Sequence, residues 1–186
     1  MGKTYSEIDE SLRAFVERQH LFFVATAPSR VDGHVNCSPK GLDSLRIVGP
    51  ATVIYLDYTG SGAETIAHVR ENGRIVIMFC AFEGAPKIVR FHGSGEAIEP
   101  GDADFEALLA HFTPGPGVRS IIRIAVERIS DSCGFGVPNL RFEDERTQLP
   151  NWTEKKGDGL EAYRRQKNAT SIDGLPALRF GDSETT

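Results

Sequence analysis

Residues 55 to 65 read Tyr-Leu-Asp-Tyr-Thr-Gly-Ser-Gly-Ala-Glu-Thr: an apolar run, a glycine turn, then the start of a helical pattern. Backbone N–H groups at Gly60, Ser61 and Gly62, together with a helix N-terminus, are the donors that hold a phosphate. Tyr58, Thr59, Ser61 and Thr65 add hydroxyls. The same residues also make a plain turn with a capping box from Ser61 to Glu64, and both readings stay open at this point. A second group lies upstream. Along residues 35 to 40, strand alternation sends Asn36, Ser38 and Lys40 to one face. An amide, a hydroxyl and an ammonium in a row suit a polar ring edge or a phosphate; they equally suit a strand with one face in water.

The elements that must carry these groups are short. Thr4 and Glu7 can form a capping box, and Ile8, Leu12, Phe15 and Val16 recur at helical spacing, which predicts a helix over 5–19. Strands are expected at "LFFVATA", "VNCSPKG" (stopped by Pro39 and Gly41), "LRIVG", "TVIYLD", "RIVIMFCAF", "KIVRFHGSGEAIE" and "SIIRIAVERIS". Gly73 is expected to cap the helix after the glycine turn, and Asp102 to cap one carrying Phe105, Leu108, Leu109 and Phe112. Asp-Gly and Glu-Gly-Ala-Pro turns join neighbouring strands as hairpins, so the sheet is antiparallel. That sets aside a Rossmann reading of Gly60-x-Gly62, which also lacks the third glycine and needs a parallel βαβ unit. No Gly-Lys-Ser/Thr follows, so it is no P-loop. Six or seven short strands with a few helices predict a small closed antiparallel barrel. A polar extension, residues 143–186, follows the barrel unit of residues 1–142. It carries Trp152 and the helical stretch "GLEAYRRQKN", and is expected to pack on the barrel or on a partner subunit.

The chain has 186 residues, a net charge of −5 and 25% charged residues, which disfavours nucleic acid and anionic membranes as partners. Its apolar runs are too short to span a bilayer as helices, and its first residues lack a signal-peptide pattern. Three cysteines without a C-x-x-C fit a reduced, cytoplasmic protein. The five histidines form no H-x-x-x-H pair, so no metal site is expected.

"VNCSPKG", "YLDYTGSGAETIAHVRENGRIVIMF" and "KIVRFHGSGEAI", in this order and spacing, resemble the pyridoxamine 5′-phosphate oxidase-like family of FMN-binding split barrels. The resemblance covers about residues 10 to 130, and "SCGFGVP" and "KNATSIDGLP" resemble its uncharacterised oxidase-related branch. It implies a mainly β, six- to seven-stranded split barrel that dimerises, with FMN between the subunits. It implies an oxidoreductase of unknown small-molecule substrate, with a reduced nicotinamide as a candidate electron donor. It also implies cofactor contacts at Asn36, Cys37, Ser38, Lys40, Tyr58, Thr59, Ser61, Gly62 and Thr65. Cys37 alternates onto the face opposite Ser38 and is expected to be buried.

Two departures from the family pattern stand out. Glu64 and Thr65 occupy the positions of an Arg-Lys pair that neutralises the FMN phosphate in the vitamin B6 oxidases. A carboxylate about 5 Å from a phosphate charge costs on the order of 3 kcal/mol at an effective dielectric of about 20. Lys40 and Arg90 are the candidate offsets. The tail, with Trp152, Arg164 and Arg165, departs from the family's Trp- and Arg-containing end. The rival functions are a non-catalytic flavin carrier or sensor, and a relative that handles a deazaflavin or haem, with His92 or His111 involved in the haem case.

Overall fold

Most of the strands are rich in apolar residues, and these form a main core and a smaller second cluster. In the computed structural model, which describes residues 2–181, β1 is Thr4–Tyr5, α1 Glu10–Glu17, β2 Phe22–Thr26, β3 Asn36–Lys40 and β4 Leu45–Gly49. There follow β5 Thr52–Tyr58, α2 Glu64–Asn72, β6 Arg74–Cys80, β7 Ile88–Ile98, α3 Phe105–Leu109 and β8 Val118–Ser132, then α4 Gln148–Lys156 and α5 Gly159–Lys167. The strands hydrogen-bond in the order β3-β2-β6-β7-β8-β5-β4, with β1 added on β8, and each pairing is antiparallel. This is a split barrel of eight strands. The strand beyond the expected six or seven is the two-residue β1. The hydrogen-bonded path runs from β3 to β4 without pairing those ends, which is the split barrel the family resemblance implies rather than the closed one the strand pattern alone suggested.

The main core holds Leu12, Phe15, Phe22, Val24, Tyr55, Ile77, Phe79 and Phe91. Phe79 stands edge-on to Phe91, ring centroids 5.3 Å apart, a favoured aromatic arrangement. A smaller cluster of Ile54, Leu56, Ile98, Phe105, Phe112 and Ile121 packs the other face of β5 beneath α3. Strand β5 is thus buried on both faces, which is why its sequence is a continuous apolar run. Where β8 bulges at Glu127, opposite His92 and Gly93 of β7, a Cβ at Gly93 would overlap the Ala125 carbonyl, so only glycine fits.

Helix α1 is shorter than expected. Thr4 and Tyr5 pair with Ser130 and Ile129, so Thr4 is in a strand and cannot cap. Asp9 caps instead, its carboxylate accepting the Leu12 N–H at 2.8 Å. Tyr5 donates to Asp131 at 2.6 Å; that bond and burial push the phenol up to about 12. Strand β3 runs through Pro39, tolerated because β3 is an edge strand. Gly73 caps α2 with φ 72°, as expected. Asp102 accepts the Glu99 N–H rather than capping α3, whose N-cap is Asp104.

The tail returns to the barrel. Ala177 and Leu178 are buried in the main core, and backbone bonds from Ala177 to Ala169 and from Leu178 to Asn168 close a small loop.

Asp9→Ala is expected to lower stability by about 1 kcal/mol, whereas Thr4→Ala changes it by less than about 0.5 kcal/mol; urea melts of the two variants check this.

Candidate functional site

Asp57 lies near the end of β5 with no exposed surface. It accepts from Lys40 Nζ at 2.9 Å and Arg119 Nε at 2.7 Å, while Ser120 Oγ lies 3.4 Å away. Arg119 reaches it because β8 carries an extra residue there: Asp57 pairs with Ser120 and Tyr58 with Val118, leaving Arg119 as the bulge. A bulge re-aims a side chain in this way. Burial alone would raise the Asp57 carboxyl, but Arg119 and then Lys40 overcome it and hold it well below the usual carboxylate range. Lys40 sits on β3 and Asp57 on β5, strands that do not pair, so this ion cluster spans the split.

The polar face of β3 is a fixed hydrogen-bond row. Ser38 Oγ donates to Asn36 Oδ1 at 2.9 Å, and Asn36 Nδ2 donates to Thr26 Oγ1 at 3.2 Å and Thr65 Oγ1 at 3.0 Å. Thr26 then has its own proton to give to His68 Nδ1, 2.9 Å away. That assigns the imidazole proton to Nε2, which is buried without a partner. Burial lowers the His68 pKa, so the ring stays neutral.

Across from this row is the glycine corner. Its backbone runs from Thr59, whose N–H and hydroxyl both donate to the Gly117 carbonyl, into α2. The N-cap is Ala63, with no side-chain cap, so the Ser61–Glu64 capping box does not form. Arg119 Nη1 donates to the Gly62 carbonyl at 2.7 Å. The Glu64 carboxylate folds back over Gly62, where an added Cβ would collide with it. The tail closes the corner from outside. Arg164 donates to Thr59 Oγ1 at 2.9 Å, Asn168 Nδ2 to the Gly60 carbonyl at 3.0 Å, and the Ile172 N–H to Glu64 Oε1 at 3.3 Å. Asp173 binds His34 through both its N–H and Nδ1, at 2.8 and 2.7 Å.

Between row and corner lies a cleft of about 420 Å³ lined by Asn36, Ser38, Lys40, Tyr58, the Gly60–Gly62 turn, Glu64, Thr65, Arg119 and Ile172. Of the residues expected at a cofactor, the fold thus gathers Asn36, Ser38, Lys40, Tyr58, Ser61, Gly62 and Thr65 around one opening. Thr59 lies behind it, buried and engaged with Gly117 and Arg164. Cys37 is exposed on the opposite face of β3, not buried, because β3 is the sheet's edge and none of the described residues covers that side. Arg90 does not line the cleft. It donates to Ser132 from β7, and Arg119 stands where Arg90 was expected to act. Sequence reasoning passed over Asp57, Arg119 and His68. The available signal was a charge inside each apolar run, "IYLDY" and "VRSII", since a charge buried in a strand needs a partner.

A model of the pyridoxamine 5′-phosphate oxidase family matches residues 8–133. The pyridoxamine 5′-phosphate oxidase family protein ustO of Aspergillus flavus is 38% identical over 193 residues, covering 94% of this chain and 77% of that protein. The chain belongs to the pyridoxamine 5′-phosphate oxidase family. Two crystal structures of HupZ from Group A Streptococcus, one of them a variant, are 30% identical to it. They give TM-scores of 0.56 and 0.54 and cover 67% and 66% of this chain and 99% and 91% of their own. A Lactobacillus delbrueckii structure shares the fold at 17% identity and a TM-score of 0.51, covering 67% of this chain and 94% of its own. The family model ends before the tail that closes the glycine corner, whereas the ustO match covers too much of the chain to omit that tail.

Asp57→Asn leaves two cations facing a neutral amide and is expected to destabilise the fold by about 3–5 kcal/mol. Because the folded pKa is depressed, this stabilisation is fully present above the unfolded carboxyl pKa near 3.8 and is lost as pH falls below it. Chemical melts from pH 7 to pH 3 are expected to show a flatter acid limb in the variant than in the wild type.

Proposed function

We propose that the cleft binds a flavin, FMN, and that the protein is a flavin-dependent oxidoreductase acting on a small molecule as a homodimer. The observation that carries this reading is the row Asn36, Ser38 and Lys40 facing the glycine corner across one cleft, in a chain of this family. The volume lies in the range of small-molecule sites.

The residues fit the ring and sugar of a flavin. Lys40 keeps two ammonium protons after binding Asp57, and Ser38 keeps acceptor lone pairs after donating to Asn36. Tyr58 Oη accepts the Gly115 N–H at 3.4 Å and keeps its own proton to donate. Turn amides and the uncapped start of α2 suit the phosphate, but the Glu64 carboxylate opposes it. When bound, a flavin supplies hydride and electron transfer, and the protein supplies binding, orientation and electrostatics. Asp57 fixes where the Lys40 ammonium points. The Thr26–His68 pair fixes which way the Asn36 amide faces.

The homodimer reading rests on the outer side of the cleft. Edge strand β3 exposes Cys37 and Pro39, and Val31, Val35 and Ile172 are exposed nearby. An unpaired, partly apolar edge is a surface that proteins usually cover. A second subunit there would wall the cleft.

Titrating FMN into the purified full chain is expected to quench flavin fluorescence with saturation. Lys40→Met is expected to weaken that binding by about tenfold or more, as loss of a charged hydrogen bond does. Steady-state oxidation of a reduced nicotinamide then separates an enzyme from a flavin carrier. A chain that is folded by circular dichroism yet neither quenches FMN nor retains any flavin rules the proposal out.

A further inference from the structure

We infer that Glu64 is a selectivity residue: it cancels the phosphate preference of the glycine corner, so that this protein holds riboflavin about as well as FMN. The inference rests on the flavin reading above and goes beyond it, since it concerns which flavin binds.

The corner offers backbone amides and carries a carboxylate of its own beside them. Helix α2 runs nine residues and its N-cap Ala63 supplies no acceptor. The Glu64 carboxylate lies folded over Gly62 at that end. It is not a loose surface group. The Ile172 N–H holds Oε1, and Ile172 is placed by the neighbouring Asp173 clamp on His34 and by Asn168, whose amide binds the Gly60 carbonyl. Asn168 is wholly buried, so the tail cannot lift from this point without exposing a packed side chain.

The charges give the same answer. Lys40 and Arg119 contribute two positive charges, and Asp57 consumes one of them. Glu64 balances the other. Arg164 also carries a charge, but it is tied to Thr59 and the Val118 carbonyl and does not line the cleft. An arriving phosphate therefore finds amide donors but no net positive charge among the three charged groups that line the cleft and their buried partner Asp57. One unit charge about 5 Å away at an effective dielectric of about 20 is worth on the order of a hundredfold in affinity. The ring edge and the sugar meet Lys40, Ser38 and Tyr58 in either flavin, so the phosphate alone feels Glu64.

Riboflavin and FMN differ only in that phosphate, and comparing them isolates the corner. The full chain and its Glu64→Gln variant are titrated with each flavin at low salt, followed by flavin fluorescence. The wild type is expected to bind the two within about threefold, and Glu64→Gln to tighten FMN by about tenfold or more while leaving riboflavin unchanged. A wild-type preference for FMN of about tenfold or more, or an unchanged ratio in Glu64→Gln, overturns the role of Glu64 while the flavin site stands. Binding of neither flavin by either protein removes the flavin reading itself, and this inference with it.

Discussion

One buried carboxylate holds the two sides of the split together. Asp57 has no contact with water, and a lone charge there would cost more than the fold can spare. Lys40 comes to it from the last residue of β3 and Arg119 from a bulge in β8, so the ion cluster joins three strands that the hydrogen-bonded path keeps apart or offset. A closed barrel would do the same with backbone hydrogen bonds. Here side chains do it, and the cleft opens beside them, between β3 and the glycine corner. Structure and site thus share one cause.

The order of charges across the cleft follows from that arrangement. Lys40 faces the opening at one end of the β3 row, because its other bond is fixed in the interior. Arg119 donates from Nη1 to the Gly62 carbonyl, which fixes the glycine turn from below. Arg164, Asn168 and Ile172 fix it from above. A turn with few side chains of its own is therefore rigid, held by residues distant in sequence. Rigidity of this kind keeps backbone amides aimed at a ligand without reorganisation when it binds.

The parts of this architecture legible in the sequence were those set by neighbours along the chain. Asp-Gly at residues 32–33 and the Glu-Gly-Ala-Pro turn declared antiparallel hairpins, and alternation placed Asn36, Ser38 and Lys40 on one face before any coordinates. The pairings between distant residues were not legible. Asp57 and Arg119 meet only because β5 lies beside β8 and β8 bulges at one position. Thr4 has the residue types of a helix cap around it, yet pairing with Ser130 took it into the sheet. Alternation says which residues share a face, not whether anything covers that face; on this edge strand none of the described residues covers Cys37.

The burial of Ala177 and Leu178 in the main core bears on how the molecule is made. Synthesis delivers all eight strands before these two residues leave the ribosome, and domains begin to assemble as they emerge. For that interval the nascent barrel has its ion cluster and its glycine turn, but no strap over them. The glycine turn is therefore clamped last, when the tail docks against it.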